Sequence, residues 1–155
     1  MRDYKHILLV TDFSDASVYA AMRAADLARR YDAHFTLLHI VEHFPEDSPT
    51  NWIAPEGEDP ARYVTQVAQN KLAAIAEKLQ VKPDQQQTVL SHRSVKYELV
   101  RYANEQKIDL IVIGANGRTG LNSSIGSPIN GMLHGTLCDV LAVHCPRNNS
   151  TNPLA

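Results

Sequence analysis

The sequence predicts an α/β protein: a single doubly wound domain with a five-stranded parallel sheet, in the order 3-2-1-4-5, and helices on both faces. Short continuous apolar runs alternate along the chain with longer helical patterns, which is typical of βαβ units with right-handed crossovers. The apolar runs alternate little with polar residues, as expected for strands covered on both faces. The 155 residues are enough for one domain with a buried core.

The first half of the chain predicts two strands and two helices. An apolar run over residues 6–11 predicts the first strand, and Ser14 offers an N-cap for an alanine-rich helix over residues 16–31. Residues 34–41 predict the second strand. Asp59-Pro60 predicts the start of the next helix, whose apolar face includes Lys71.

The second half predicts three strands and two helices. Residues 87–91 predict an edge strand, and Ser94 offers a cap for a helix over residues 95–106. The run 108–113 is the most strand-like of the chain. A helix starting at Ser127-Pro128 and closed by Gly135 leads to the last strand, residues 140–144. We expect one domain over residues 1–147 and a polar, disordered tail over 148–155.

A long acidic loop over residues 42–58 interrupts this pattern. It carries three prolines and Trp52. Loops of this length are usually functional covers or disordered insertions. Trp52 is therefore either a side chain that folds over a ligand or a locally packed anchor.

Composition and charge exclude several classes of partner and location. The formal net charge of −2 and the scattered basic residues provide no footprint for nucleic acid or an anionic membrane. No segment reaches the roughly 20 apolar residues that a membrane span requires, and the first apolar run is too short for a signal peptide. Cys138 and Cys145 form neither a disulfide framework nor a CxxC motif. We therefore expect a cytoplasmic protein.

A glycine-rich segment follows the fourth strand. Six of the seven glycines lie between Gly114 and Gly135, and glycine permits positive φ and close approach of the backbone to a ligand. In an open parallel sheet, ligands bind beyond the carboxyl ends of the strands, where the strand order reverses. Thr11, Asp12 and Val41 converge on that same edge. The loop alone is equally consistent with a phosphate-binding loop and with an ordinary flexible loop. The convergence of Asp12 and Val41 on the same edge favours the phosphate-binding loop.

Individual side chains in this region keep two interpretations. Ser127 is either a phosphate ligand at a helix start or a plain N-cap. Arg118 either binds phosphate or stays solvated, and Asp12 either meets a ribose or Mg²⁺ or stabilises a helix dipole. The segment is not a P-loop, because no Gly-Lys-Ser/Thr follows, and GxGxxG does not occur.

Three stretches of the chain resemble the universal stress protein (UspA-type) family. They are Asp12-Phe13-Ser14, Asp109-Leu110-Ile111-Val112-Ile113-Gly114 and the glycine-rich loop, and the resemblance extends from His6 to about His144. The nucleotide-binding branch of this family carries Gly-x-x-Gly, nine residues, then Gly-Ser/Thr. Here Gly114-Ala115-Asn116-Gly117 matches, and Gly126-Ser127 follows one residue sooner.

The resemblance implies an adenine nucleotide site. Asp12 would face the ribose, the backbone of Val41 would contact the adenine edge, and the glycines with Ser127 would hold the phosphates. Pro128 departs from the family pattern because it lacks a backbone N–H, which lowers the expected affinity. The expected site residues are Thr11, Asp12, Val41, Ile113, Gly114, Gly117, Arg118, Gly126, Ser127 and Pro128.

We expect ATP as the ligand, with AMP or ADP as alternatives and Mg²⁺ as a companion ion. No base for activating water is evident, so the expected function is that of a stress-response sensor or regulatory module with at most slow hydrolysis. The resemblance also implies a homodimer through the apolar last strand, Val140-Leu141-Ala142-Val143. Two alternatives stay open: a dimeric interaction protein that binds no nucleotide, and a nucleotide-using enzyme whose acid or base is not visible in the sequence.

The remaining histidines and cysteines predict no further site. His39 and His43 are four residues apart, but on a strand this spacing does not form a metal pair, so we expect His39 to pack at a strand end. His134 lies at a predicted helix end and needs no ligand there. We expect both cysteines to pack rather than react.

Overall fold

The computed structural model describes residues 3–42, 54–115 and 135–146. The elements in these ranges are β1 (His6–Val10), α1 (Asp15–Tyr31), β2 (His34–Glu42), α2 (Pro60–Leu79), β3 (Gln86–Ser91), α3 (Val95–Glu105), β4 (Leu110–Ala115) and β5 (Asp139–His144), with a short 3₁₀ helix, Pro83–Gln85, before β3. All neighbouring strands pair in parallel, in the order β3-β2-β1-β4-β5. This order confirms the predicted doubly wound sheet, with β3 at an edge.

The sheet carries a hydrophobic core on each face. Ile7 and Leu9 of β1 pack on one face against the buried alanines of α1 and the apolar side of α2. Leu8 and Val10 pack on the other face against α3. Burial on both sides explains why the strand is apolar without alternation, since every position faces a core. Helices therefore cover both faces, as predicted.

Three helix starts lie where the sequence predicts them. The side chains of Ser14 and Ser94 each accept a hydrogen bond from the backbone N–H three residues later, at 3.2 Å. Asp59 accepts one from the N–H two residues later, at 3.1 Å, and Pro60 occupies the first helical turn. Each cap satisfies a donor that the helix itself leaves unpaired.

The bounds of β4 differ from the prediction at both ends. The strand begins at Leu110 instead of residue 108, because Asp109 turns its carboxylate to the backbone N–H groups of Lys5 and His6, at 2.7 and 2.8 Å. It ends at Ala115 and includes Gly114, which the sequence interpretation placed at the exit from the strand. Asp109 thus fixes the start of β1 against the start of β4.

Two predictions of local helix structure are wrong. The buried face of α2 is an i, i+4 stripe of Val64, Ala68, Leu72 and Ala76. Lys71 is exposed, since it lies one position beside this stripe. Gly135 is helical and lacks a positive φ, so it does not close a helix in the left-handed region.

Several predicted features lie outside the described residues: Trp52 and His43 of the acidic loop, His134, and the tail over 148–155. None of the helices in the described part of the chain is long and apolar enough to cross a membrane. Neither Cys138 nor Cys145 forms a disulfide, and burial raises the pKa of the Cys138 thiol, which packs against the α3 side of the sheet.

Candidate functional site

The strand order reverses between β1 and β4. The chain goes from β1 outward to β2 and β3, then returns to the other side of β1 with β4 and β5. The connections of the two central strands therefore run in opposite directions, an arrangement that leaves a crevice beyond the carboxyl ends in open parallel sheets. Thr11, Asp12 and Phe13 follow β1 at this edge, and Gly114 and Ala115 end β4 there.

Hydrogen bonds fix the turn after β1 on several sides. The backbone N–H of Thr11 donates to the Leu38 carbonyl at 2.9 Å, which is the last link from β1 to β2. The Thr11 hydroxyl is buried, lies 2.9 Å from the Ser17 hydroxyl, and accepts from the N–H of Phe13 at 3.0 Å. The turn is thus tied both to the sheet and to the first turn of α1.

The carboxylate of Asp12 is half-buried and partly engaged. Its Oδ1 accepts hydrogen bonds from the backbone N–H of Ser14, at 2.9 Å, and from the Ser14 hydroxyl. These bonds hold Asp12 against Ser14, the N-cap of α1. Within the described residues, Oδ2 accepts no hydrogen bond. The turn itself thus engages only one of the two Asp12 oxygens.

The end of β2 extends past the end of β1. Val10 pairs with Leu38, whereas β2 continues to pair with β3 through Glu42. The side chain of Val41 is buried against α2. Glu42 is committed elsewhere, because its Oε1 accepts from the N–H of Val95 at 2.9 Å and caps α3.

Gly114 has a packing requirement that is independent of any ligand. A Cβ built on it would lie 2.7 Å from the carbonyl carbon of Ala16, 2.8 Å from the Ala16 oxygen and 2.8 Å from the nitrogen of Ser17. These are backbone atoms of α1, so only glycine lets the helix lie this close to β4. Its neighbour Ile113 is fully buried, with its side chain in the core on the α3 side of the sheet.

The sequence interpretation missed two features of this edge. Phe13 has φ 65°, in the left-handed region where aromatic residues are uncommon. Its ring lies 4.2 Å from the ring of His39, centroid to centroid, and the Lys71 ammonium lies 5.7 Å from its centroid. The sequence carried a signal for the contact of His39 with this turn. Leu37 and Val41 share its strand face and are apolar, so a histidine between them indicates a polar contact.

Five predicted site residues lie outside the described residues: Gly117, Arg118, Gly126, Ser127 and Pro128. Thr11, Asp12, Val41, Ile113 and Gly114 lie at the carboxyl ends of β1, β2 and β4, and the role of all ten residues in binding stays a prediction. Across residues 3–42, 54–115 and 135–146, no group of three or more His, Cys, Asp and Glu side chains is arranged to hold a metal ion. An open groove lined by Tyr4, Leu27 and Leu141 lies at the opposite end of β5 and takes no part in this site.

Comparison with known proteins places this geometry in a family. A model described as "Universal stress protein family" matches residues 3–144. Universal stress protein A homolog 1 of Coxiella burnetii is 33% identical over 140 residues, which cover 90% of this chain and 96% of that protein.

Solved structures of similar fold include three at less than 25% identity. Protein MJ0577 superposes with a TM-score of 0.71 at 24% identity, over 94% of this chain and 99% of the other. A universal stress protein in complex with cAMP gives 0.57 at 24%, over 94% and 100%. One from Archaeoglobus fulgidus in complex with dAMP gives 0.61 at 14%, over 92% and 99%.

Proposed function

The chain belongs to the universal stress protein family, and from that premise we propose that it binds an adenine nucleotide in the crevice between β1 and β4. ATP is the proposed ligand, with AMP or ADP as alternatives. The protein would act in the cytoplasm as a stress-response sensor or regulatory module, with at most slow ATP hydrolysis. The universal stress proteins described in complex with cAMP and dAMP support an adenine ligand.

The observation that carries this proposal is the reversal of strand order at the carboxyl ends of β1 and β4. The Oδ2 of Asp12, to which no described residue donates a hydrogen bond, is suited to a ribose hydroxyl, or to Mg²⁺ held jointly with phosphate oxygens. Beyond Leu38, β2 forms no pair with β1, and the buried side chain of Val41 leaves its backbone as the group that can contact a base. Gly117, Gly126 and Ser127 would hold the phosphates from the loop after β4, beside Arg118 and Pro128.

A sensor fits the described side chains better than a fast enzyme. Thr11 is hydrogen-bonded to Ser17 and Phe13, and Glu42 caps α3. His39 contacts the carbonyl of Thr11. Thr11, Glu42 and the Nδ1 of His39 are thus engaged in holding the fold, and activation of water requires a base that is free to accept a proton.

Titration calorimetry of the purified protein with ATP, ADP and AMP, with and without Mg²⁺, tests the proposal directly. Mass spectrometry of gently released ligand identifies any nucleotide carried through purification. The absence of ATP or ADP binding at millimolar concentration would reject the proposal.

Three variants test where the nucleotide binds. Gly117→Val and Gly126→Val should abolish binding and leave the fold intact, and unchanged affinity would place the site elsewhere. Asp12→Asn keeps an oxygen for the N–H of Ser14 and removes the charge. We expect about 10- to 100-fold weaker binding, the cost of one charge-assisted hydrogen bond. Asp84→Ala is the matched control. Asp84 is exposed and precedes the start of β3, so it lies at the amino ends of the strands, away from the proposed site.

We also propose a homodimer through β5. This strand is at the sheet edge, and Val140, Leu141, Ala142 and Val143 are only partly buried. An apolar edge strand requires cover, and a second copy of the chain supplies it. Sedimentation velocity should give twice the mass of the 17.2 kDa chain. A strictly monomeric chain would contradict this proposal, whereas a dimer without nucleotide affinity would favour the alternative of an interaction protein.

A further inference from the structure

His39 is the polar member of an otherwise apolar strand face. Phe35, Leu37 and Val41 alternate with it along β2, and all three are buried. An apolar side chain would satisfy the packing at this position as it does at its neighbours. A histidine here therefore indicates a polar contact that the fold or its ligand site requires.

The imidazole of His39 reaches the chain where β1 ends. Its Nδ1 lies 2.7 Å from the carbonyl oxygen of Thr11. A carbonyl only accepts, so Nδ1 must carry the proton and donate it. Burial lowers the pKa of His39, which keeps the ring neutral near pH 7 and leaves its second nitrogen unprotonated.

The same ring also supports the far side of the turn. Phe13 lies two residues after Thr11, and its ring stacks on His39 with an interplanar angle of 31°. Phe13 holds a left-handed backbone conformation, with φ 65°, and such residues persist where their surroundings hold them in place. His39 thus contacts the residue on each side of Asp12, through a hydrogen bond on one and a ring contact on the other.

We propose that His39 is a positioning residue for the nucleotide site, and that its hydrogen bond to Thr11 fixes the direction in which the carboxylate of Asp12 faces the crevice. This inference rests on the proposed nucleotide function. It assigns no contact with the ligand to His39 itself. A displaced turn would move Asp12 without removing it, and small displacements of a positioned group lower affinity strongly.

Two substitutions separate the donor from the ring. His39→Phe keeps an aromatic ring against Phe13 and removes the N–H, whereas His39→Asn keeps an N–H near the position of Nδ1 and removes the ring. His34→Phe is the matched control, because His34 lies at the opposite end of the same strand. Its ring contacts the ring of His6, with 4.6 Å between the centroids. Each variant is measured by ATP titration calorimetry and by urea unfolding.

We expect ATP affinity to fall on the order of tenfold in His39→Phe, to stay within about threefold of the parent in His39→Asn, and to be unchanged in His34→Phe. A merely structural role would instead make affinity follow the loss of stability across all three variants. Binding by His39→Phe that equals the parent, or an equal loss in His39→Asn, would overturn the inference. A parent protein that binds no nucleotide would reject the proposed function instead.

Nitrogen NMR of the parent protein tests the geometry without any variant. The imidazole of His39 should show a protonated Nδ1 and an unprotonated Nε2, and the amide signals of Asp12 and Phe13 should shift when ATP is added. The opposite tautomer would remove the hydrogen bond to Thr11 and overturn the inference, even if a variant fails to fold.

Discussion

Gly114→Ala is the substitution whose effect follows most directly from the structure. The added Cβ would lie 2.7 Å from the carbonyl carbon of Ala16 and 2.8 Å from both the Ala16 oxygen and the Ser17 nitrogen. Carbon atoms in contact normally lie about 3.5–4.0 Å apart, so α1 and β4 must separate by about 0.8 Å to reach the lower limit. No side-chain rotation relieves these contacts, because all three atoms are backbone.

The expected cost is about 1–3 kcal/mol of unfolding free energy, the usual range for overpacking of a core. For a chain of this length, 1 kcal/mol corresponds to about 2–4 °C in Tm, so a 2 kcal/mol loss would lower Tm by about 4–8 °C. Urea unfolding followed by circular dichroism measures the free energy, and thermal unfolding measures Tm independently.

Gly135→Ala is the matched control for this prediction. Its Cβ would lie 3.3 and 3.4 Å from the two methyls of the Val100 side chain, contacts that a shift of a few tenths of an ångström relieves. Gly135 is also helical, where alanine is favoured by up to about 1 kcal/mol. A Gly114→Ala variant that is as stable as Gly135→Ala would refute the argument that the spacing between α1 and β4 requires glycine.

Three further results are expected. Ser14→Ala should cost about 1 kcal/mol of stability, because it removes the N-cap of α1, and a urea midpoint equal to the parent's would contradict this. Glu42→Ala should lower the free energy of unfolding by about 1.5–3 kcal/mol, because it removes the hydrogen bond to the N–H of Val95 at the start of α3. Glu42→Gln keeps an acceptor oxygen and should lower it less. Equal losses in the two variants would show that only the charge of Glu42 matters. Stability in urea should fall as the pH drops below about 6.5, because burial lowers the pKa of His6 and His39, so the unfolded chain takes up protons that the folded chain does not. His6→Gln should make this pH dependence shallower, and an unchanged slope would exclude His6 as a cause.

Local side-chain chemistry made part of this fold predictable. Ser14, Asp59 and Ser94 were recognised as helix caps from sequence alone, because a cap depends on groups only two or three residues away. The strand order and the convergence of Asp12 and Gly114 on one edge followed from the alternation of elements and from a family resemblance. These predictions needed no knowledge of how the side chains pack.

Contacts between distant segments could not be predicted in the same way. Gly114 was interpreted as the exit from a strand, because the backbone of Ala16 that actually requires it lies 98 residues earlier in the chain. His39 was expected to pack at a strand end, whereas it packs within β2 and its ring contacts Phe13, just beyond the end of β1. Its hydrogen bond to Thr11, 28 residues away, depends on where β1 stops, which the apolar pattern does not define.

The side-chain link between Asp109 and the start of β1 has a consequence for synthesis. The carboxylate of Asp109 holds the N–H of His6 across 103 positions of sequence. At about 5–20 residues per second, a ribosome makes β4 roughly 5–20 s after β1. Until then β1 pairs only with β2, and the strand on the other side of the switch point is absent. A chain stalled before β4 thus carries Asp12 without Gly114 on the neighbouring strand, so under the proposed function it would not yet capture a nucleotide.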